Sequence, residues 1–85
     1  MSLQNNWTLE EIEEEVFKIV KDEKQLDDTF TKQTRFEDVG MDSLALVRIL
    51  VGIDHKLGVW LEGNALTPEN LRDVHSLAAC VQRSL

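Results

Sequence analysis

The hydrophobic residues of this chain recur at helical spacing in three segments, and two irregular stretches separate the segments. In the first segment, apolar residues follow helical spacing while acidic residues cover the opposite face. This pattern predicts an amphipathic helix near residues 9–23. Thr8 and Glu11 form the pattern of a capping box, in which each side chain binds the backbone N–H of the other residue. The first helix is therefore predicted to begin directly after Thr8.

Two further helices follow from the same reasoning. An apolar run over residues 43–57 has Asp42 in position to cap its start and Gly58 in position to end it. A last helix is predicted to begin after Asp73, which caps it, and to end near residue 83. Four residues at i, i+3, i+4 and i+7 are expected to face the core: Val74, Leu77, Ala78 and Val81.

The stretches between these helices are less regular. Residues 24–41 form a long connection, and three hydrophobic side chains are expected to hold it against the helices: Phe30, Phe36 and Val39. Residues 59–72 are predicted to hold one short helix, near residues 64–66 or 68–71. No segment shows the alternation typical of a strand. We therefore expect an all-α fold, a small four-helix bundle of three long helices and one short helix, with a long loop between helices one and two.

The length and the net charge of the chain limit the functions that the protein can have. A chain of 85 residues is expected to form one domain, 1–85, with a loose lead-in at 1–7 and the bundle at 8–83. The net charge of −7 argues against binding to nucleic acid or to an anionic membrane surface. No apolar run reaches the ~18–20 residues of a membrane span, and no signal peptide is evident. We expect a cytoplasmic monomer.

The segment Gly40–Leu44 carries the clearest chemical signal. It places Ser43 at the start of an apolar helix, directly after an aspartate and a turn glycine. Unpaired backbone N–H groups and the helix dipole make such a position favourable for a phosphate group. The simpler alternative is that Ser43 only helps to cap the helix.

The nine residues Phe36–Leu44, FEDVGMDSL, resemble the segment that leads into the attachment serine of the carrier-protein family. This family comprises acyl carrier proteins and their peptidyl and aminoacyl relatives. The resemblance extends over roughly residues 9–83. It implies that the protein is not an enzyme but a carrier, with 4′-phosphopantetheine donated by coenzyme A and attached to Ser43. It also implies three kinds of partner: a phosphopantetheinyl transferase, a cargo-loading ligase or acyltransferase, and downstream pathway enzymes.

The resemblance suggests roles for further residues. Asp42 is expected to help bind the transferase or its metal, and it can cap the helix at the same time. Leu44 is expected either to contact the arm or a partner or to belong to the core. Five residues are assigned to partner docking: Met41, Leu46, Val47, Arg48 and Trp60. Core packing is the alternative for Trp60, since large aromatic residues are often buried.

The charge distribution departs from that of general fatty-acid carriers, whose second helix is usually acidic. Residues 43–57 hold Arg48, Lys56 and one aspartate, whereas residues 7–28 carry nine acids against three lysines. We therefore expect a freestanding carrier for a dedicated pathway of fatty acid, polyketide or nonribosomal peptide type. The sequence does not distinguish an acyl cargo from an aminoacyl cargo.

Two other functions compete with this interpretation. The protein could be an acidic helical adaptor that binds a basic partner, with Ser43 only a helix cap. It could instead be a small hydrolase using Ser43, which would need a histidine within hydrogen-bond reach. Neither His55 nor His75 is clearly placed for that role, and their separation does not suggest a metal site.

Overall fold

The computed structural model of the protein describes residues 7–85, and its regular elements are helical. Three α-helices are present: α1 (Leu9–Lys24), α2 (Ser43–Leu57) and α3 (Val74–Arg83). Two short 3-10 helices lie between them, at Phe36–Val39 and Gly63–Ala65. No strand occurs within residues 7–85, so the predicted all-α class is confirmed for this part of the chain. Residues 1–6, most of the predicted lead-in, lie outside the described residues.

The start of α1 has the predicted capping box. The Thr8 hydroxyl accepts a hydrogen bond from the Glu11 N–H at 3.1 Å, and the Glu11 carboxylate accepts one from the Thr8 N–H at 2.9 Å. Such a cap contributes about 1 kcal/mol to helix stability. The helix ends at Lys24, where Gln25 turns into the left-handed region with φ of 52°.

The core lies where α1 packs against both α2 and α3. Each helix contributes side chains with no exposed surface, among them Val16 of α1, Ile53 of α2 and Leu77 of α3. The four residues of α3 predicted to face inward are all buried. Burial of an aliphatic side chain is worth about 1.5–3 kcal/mol, so this shared interface holds the three helices together.

The connection between α1 and α2 is held against the bundle as predicted. Phe30 and Phe36 are buried, and Val39 is half-buried. The ring of Phe30 stacks on that of Phe17 in α1, with 5.1 Å between the ring centroids. However, the 3-10 helix Phe36–Val39 interrupts the connection, so the expectation of one long loop is not confirmed.

The predicted count of four helices is not confirmed either. Between α2 and α3 the chain forms the 3-10 helix Gly63–Ala65, followed by hydrogen-bonded turns around residues 68–71. Gly63 and Pro68 both disfavour a continuous α-helix in so short a segment. Within residues 7–85, no helix is both long enough and apolar enough to cross a membrane.

Candidate functional site

The start of α2 is built by Gly40 and Asp42. Gly40 has a positive φ of 70°, a conformation that side chains disfavour, and it turns the chain toward the helix. The Asp42 carboxylate then accepts a hydrogen bond from the Ala45 N–H at 2.8 Å. Asp42 is therefore the N-cap of α2, and Ser43 is the first residue of the helix. The predicted bounds of α2, including the stop at Gly58, are confirmed.

Ser43 is exposed at this helix start. Its hydroxyl makes no hydrogen bond to another residue of the 7–85 range, so it faces outward without an internal partner. The first N–H groups of an α-helix have no partner within the helix. At the start of α2, the Asp42 carboxylate accepts a hydrogen bond from the N–H of Ala45. The N–H groups of Ser43 and Leu44 remain without a hydrogen-bond partner within residues 7–85. An anion bonded to the Ser43 oxygen would lie close to these donors.

A cleft of about 280 Å³ opens beside the serine. Seven residues line it: Phe36, Glu37, Met41, Asp42, Ser43, Leu46 and Leu71. Met41 and Leu46 are half-buried and pack against the core, so they form walls of the cleft as well as the edge of the bundle. Four of the seven lining residues are apolar, and the polar ones are Glu37, Asp42 and Ser43.

Three hydrogen bonds hold the segment before Ser43 in place. The N–H of Phe36 donates to the carbonyl of Arg72 at 2.8 Å, and the N–H of Met41 donates to the carbonyl of Phe36 at 3.2 Å. The Lys24 ammonium donates to the carbonyl of Gly40 at 3.0 Å. The segment is thus tied both to the end of α1 and to the chain that leads into α3.

The outer face of α2 is apolar from its first turn. Leu44 is 62% exposed, and Val47 and Val51 are also exposed. Leu44 is thus not a core residue, which removes that alternative. Trp60 lies beyond the end of α2 and is 50% exposed, so it too is a surface residue rather than part of the core.

The two basic residues of α2 pair with acidic residues of α1. Arg48 lies 3.7 Å from the Glu23 carboxylate, and Lys56 lies 3.8 Å from that of Glu15. Exposed pairs of this kind add little stability, at most about 1 kcal/mol each. Their main consequence is that the outer face of α2 presents little unbalanced positive charge.

Neither histidine is placed to activate Ser43. His55 follows Ser43 by twelve residues in the same helix, a rise of about 18 Å. His75 is bound to the Glu13 carboxylate of α1. Within residues 7–85, no group of three or more histidine, cysteine or acidic residues could hold a metal ion.

Asp73 caps α3, directly after Arg72, whose carbonyl accepts the hydrogen bond from Phe36. Its carboxylate accepts a hydrogen bond from the Ser76 N–H at 2.8 Å, and Arg72 lies 3.4 Å away. Burial by itself would raise the pKa of the Asp73 carboxyl. The hydrogen bond and the arginine charge outweigh burial and hold the pKa below its ordinary value.

Sequence reasoning did not identify every residue of the cleft. Phe36 was expected only to anchor the connection, and Glu37 and Leu71 were assigned no role. Leu71 reaches the cleft because the chain before α3 is hydrogen-bonded to Phe36, a contact between distant segments that no local pattern encodes.

Comparison with known proteins gives two matches. The family model described as the phosphopantetheine attachment site matches residues 8–81. Aminoacyl carrier protein 1 of Bradyrhizobium diazoefficiens is 26% identical over 78 residues, which cover 88% of this chain and 87% of that protein. No solved structure matches the chain at a comparable level of significance.

Members of the matched family carry a covalently attached 4′-phosphopantetheine group and act as carriers rather than as enzymes. They work with a phosphopantetheinyl transferase and with pathway enzymes. The match extends from the cap of α1 almost to the end of α3 and includes the whole region around the cleft. The chain therefore belongs to the family of phosphopantetheine-binding carrier proteins.

Proposed function

We propose that Ser43 is the attachment site of 4′-phosphopantetheine and that the protein is a carrier of acyl or aminoacyl cargo. The observation that carries this proposal is the position of Ser43. Its hydroxyl is exposed at the start of α2, beside a cleft and next to unpartnered backbone N–H groups. No observation on residues 7–85 favours the alternative of an adaptor in which Ser43 is only a cap.

The residues around Ser43 suit a phosphodiester. The free N–H groups and the dipole of α2 would favour its negative charge by about 0.3–1 kcal/mol. The apolar walls formed by Phe36, Met41 and Leu46 would lie alongside the arm. Once attached, the arm supplies a terminal thiol that holds cargo as a thioester.

Asp42 has two roles in this proposal. One carboxylate oxygen caps α2 through the Ala45 N–H, which fixes the position of Ser43. The other oxygen is available to the transferase or to the metal ion that the transferase holds. Leu44, exposed at the next position, would contact the arm or the transferase.

We assign partner docking to the surface that surrounds the serine and continues along α2. Its proposed members are Met41, Leu46, Val47, Arg48 and Trp60. The exposure of Val47 and Trp60 supports their assignment. Met41 and Leu46 are half-buried, so only the parts of their side chains that line the cleft would contact a partner. Because Arg48 pairs with Glu23, docking would depend more on apolar contact than on charge.

The identity of the cargo and of the pathway are further proposals. The relative from Bradyrhizobium diazoefficiens is named an aminoacyl carrier protein, which supports an aminoacyl cargo loaded by a dedicated ligase. Fatty acid and polyketide pathways, with an acyltransferase as the loading enzyme, are the other possibilities. A single carrier domain, a monomeric state and a cytoplasmic location stay predictions from the sequence.

The test is to incubate the protein with coenzyme A and a promiscuous phosphopantetheinyl transferase and to measure the intact mass. We expect a gain of one phosphopantetheine group in the natural protein. Ser43→Ala should fold and gain nothing. Ser84→Ala, which alters another exposed serine, is the matched control and should be modified normally. Modification of Ser43→Ala would contradict the assignment.

A further inference from the structure

A second cleft, of about 390 Å³, adjoins the cleft at Ser43. It is lined by Arg35, Glu37, Pro68, Glu69, Leu71 and Arg72. Glu37 and Leu71 line both clefts, so the two clefts adjoin at these residues, and together they are called the groove. The near cleft is mainly apolar, whereas the far cleft is lined mainly by charged side chains.

The lining of the far cleft carries two arginines and two glutamates, and three of these four side chains take part in ion pairs. Arg35 lies 3.3 Å from the Glu37 carboxylate, and Arg72 lies 3.4 Å from that of Asp73. Glu69 is exposed and has no ion-pair partner within residues 7–85. Glu69 is therefore the charged residue of the lining that a ligand could bind without breaking an existing ion pair. A cationic group placed beside Glu69 would be attracted to its carboxylate.

Most of the groove lies outside the core, since Phe36 is the one buried core residue among those that line it. Ile49, Ile53 and Leu77 have no exposed surface and line neither cleft. A cargo held in the groove would therefore stay on the surface between α2 and the segment before α3.

We propose that the groove receives the tethered cargo, and that the far cleft binds a small acyl group with a free ammonium, recognised by Glu69. This inference rests on the proposed attachment at Ser43. The arm would follow the apolar near cleft past Leu71 and place the acyl group in the far cleft. The ligand class is an aminoacyl group, whose amine is free because its carboxyl forms the thioester.

The experiment uses the full-length protein loaded at Ser43 with either of two amide-linked pantetheine analogues. One carries a glycyl group and the other a propionyl group, which has the same number of heavy atoms but no charge. Intact mass first establishes that each analogue is attached. The backbone ¹H–¹⁵N shifts of the two loaded forms are then compared, in the natural protein, in Glu69→Gln and in Glu62→Gln. Glu62 is an exposed acid of the same connection that lines neither cleft, so it is the matched control.

We expect the glycyl form to differ from the propionyl form at the amides of residues 69–72. The difference should be lost in Glu69→Gln, kept in Glu62→Gln and reduced by added salt. Equal spectra for the two loaded forms, or a difference that survives in Glu69→Gln, would overturn this inference while the attachment at Ser43 stands. A folded protein that accepts neither the analogues nor the natural arm would overturn the proposed function, and this inference with it.

Discussion

The backbone N–H of Phe36 donates to the carbonyl of Arg72 at 2.8 Å, and this bond joins the segment that precedes Ser43 to the segment that precedes α3. The Phe36 ring is buried in the core and lines the cleft beside the serine. One residue thus links the packing of the bundle to the position of the modification site. The stability of the core and the geometry of the site should respond together when this residue is changed.

Phe36→Leu should lower the free energy of unfolding by about 1–2 kcal/mol, because it leaves part of a buried site unfilled. It should also slow modification by the transferase, since the wall of the cleft and the segment before Ser43 both shift. Phe30→Leu is the matched control, because Phe30 is equally buried but lines neither cleft. Urea unfolding and transfer rates check both effects. Equal slowing in the two variants would mean that Phe36 acts only through stability.

Substitutions at Asp42 separate its two roles. Asp42→Ala should lower the free energy of unfolding by about 1 kcal/mol through loss of the cap, whereas Asp42→Asn should keep the cap and most of the stability. If the carboxylate contacts the transferase or its metal, both variants should be modified slowly. Normal modification of Asp42→Asn would show that Asp42 serves the helix alone.

Asp73 should make stability depend on pH in the acidic range. Its pKa is lowered in the folded protein, so its charged form stabilises the fold at pH values above the unfolded pKa of about 3.9. That contribution is lost as the pH falls through the lower, folded pKa. Asp73→Asn keeps a capping side chain but cannot ionise. The natural protein should be more stable than the variant at pH 7, and the difference should shrink below about pH 4. A constant difference across this range, measured by urea unfolding, would contradict the assigned cause.

Val47→Asp tests the proposed docking surface. The side chain is 51% exposed, so the change should leave the free energy of unfolding nearly unaltered. A charge placed in an apolar interface should weaken binding to the transferase roughly tenfold, equivalent to about 1.4 kcal/mol. Leu85→Asp, at another exposed apolar position, is the control and should have no effect. A normal KM for the Val47 variant would remove this residue from the docking surface.

The sequence was sufficient for features that depend on local pattern. The capping box at Thr8, the limits of α2 at Asp42 and Gly58, and the buried face of α3 all follow from spacing and cap chemistry within a few residues. Among them, the cap at Asp42 sets the position of Ser43 at a helix start. Each involves contacts between residues close in sequence, which helical periodicity describes well.

Other features depend on how distant segments meet. The contact of Phe36 with Arg72, the place of Leu71 in the cleft and the bond from Lys24 to Gly40 arise from the packing of the helices. The exposure of Trp60 likewise appears only in the structure, because a large aromatic residue fits either a docking surface or the core. Hydrophobic spacing does not specify which residues of two connections become neighbours, so the walls of the groove appear only in the structure.

Peptide mapping after modification tests the central claim most directly. Cleavage by trypsin after Arg35 and Arg48 releases residues 36–48, in which Ser43 is the only residue with a side-chain hydroxyl. After incubation with coenzyme A and a phosphopantetheinyl transferase, this peptide should gain the mass of one phosphopantetheine group, and fragmentation should place it on Ser43. An unmodified 36–48 peptide, with the added mass on another peptide or absent despite incubation with the cognate transferase, would contradict the assignment of Ser43 as the carrier site.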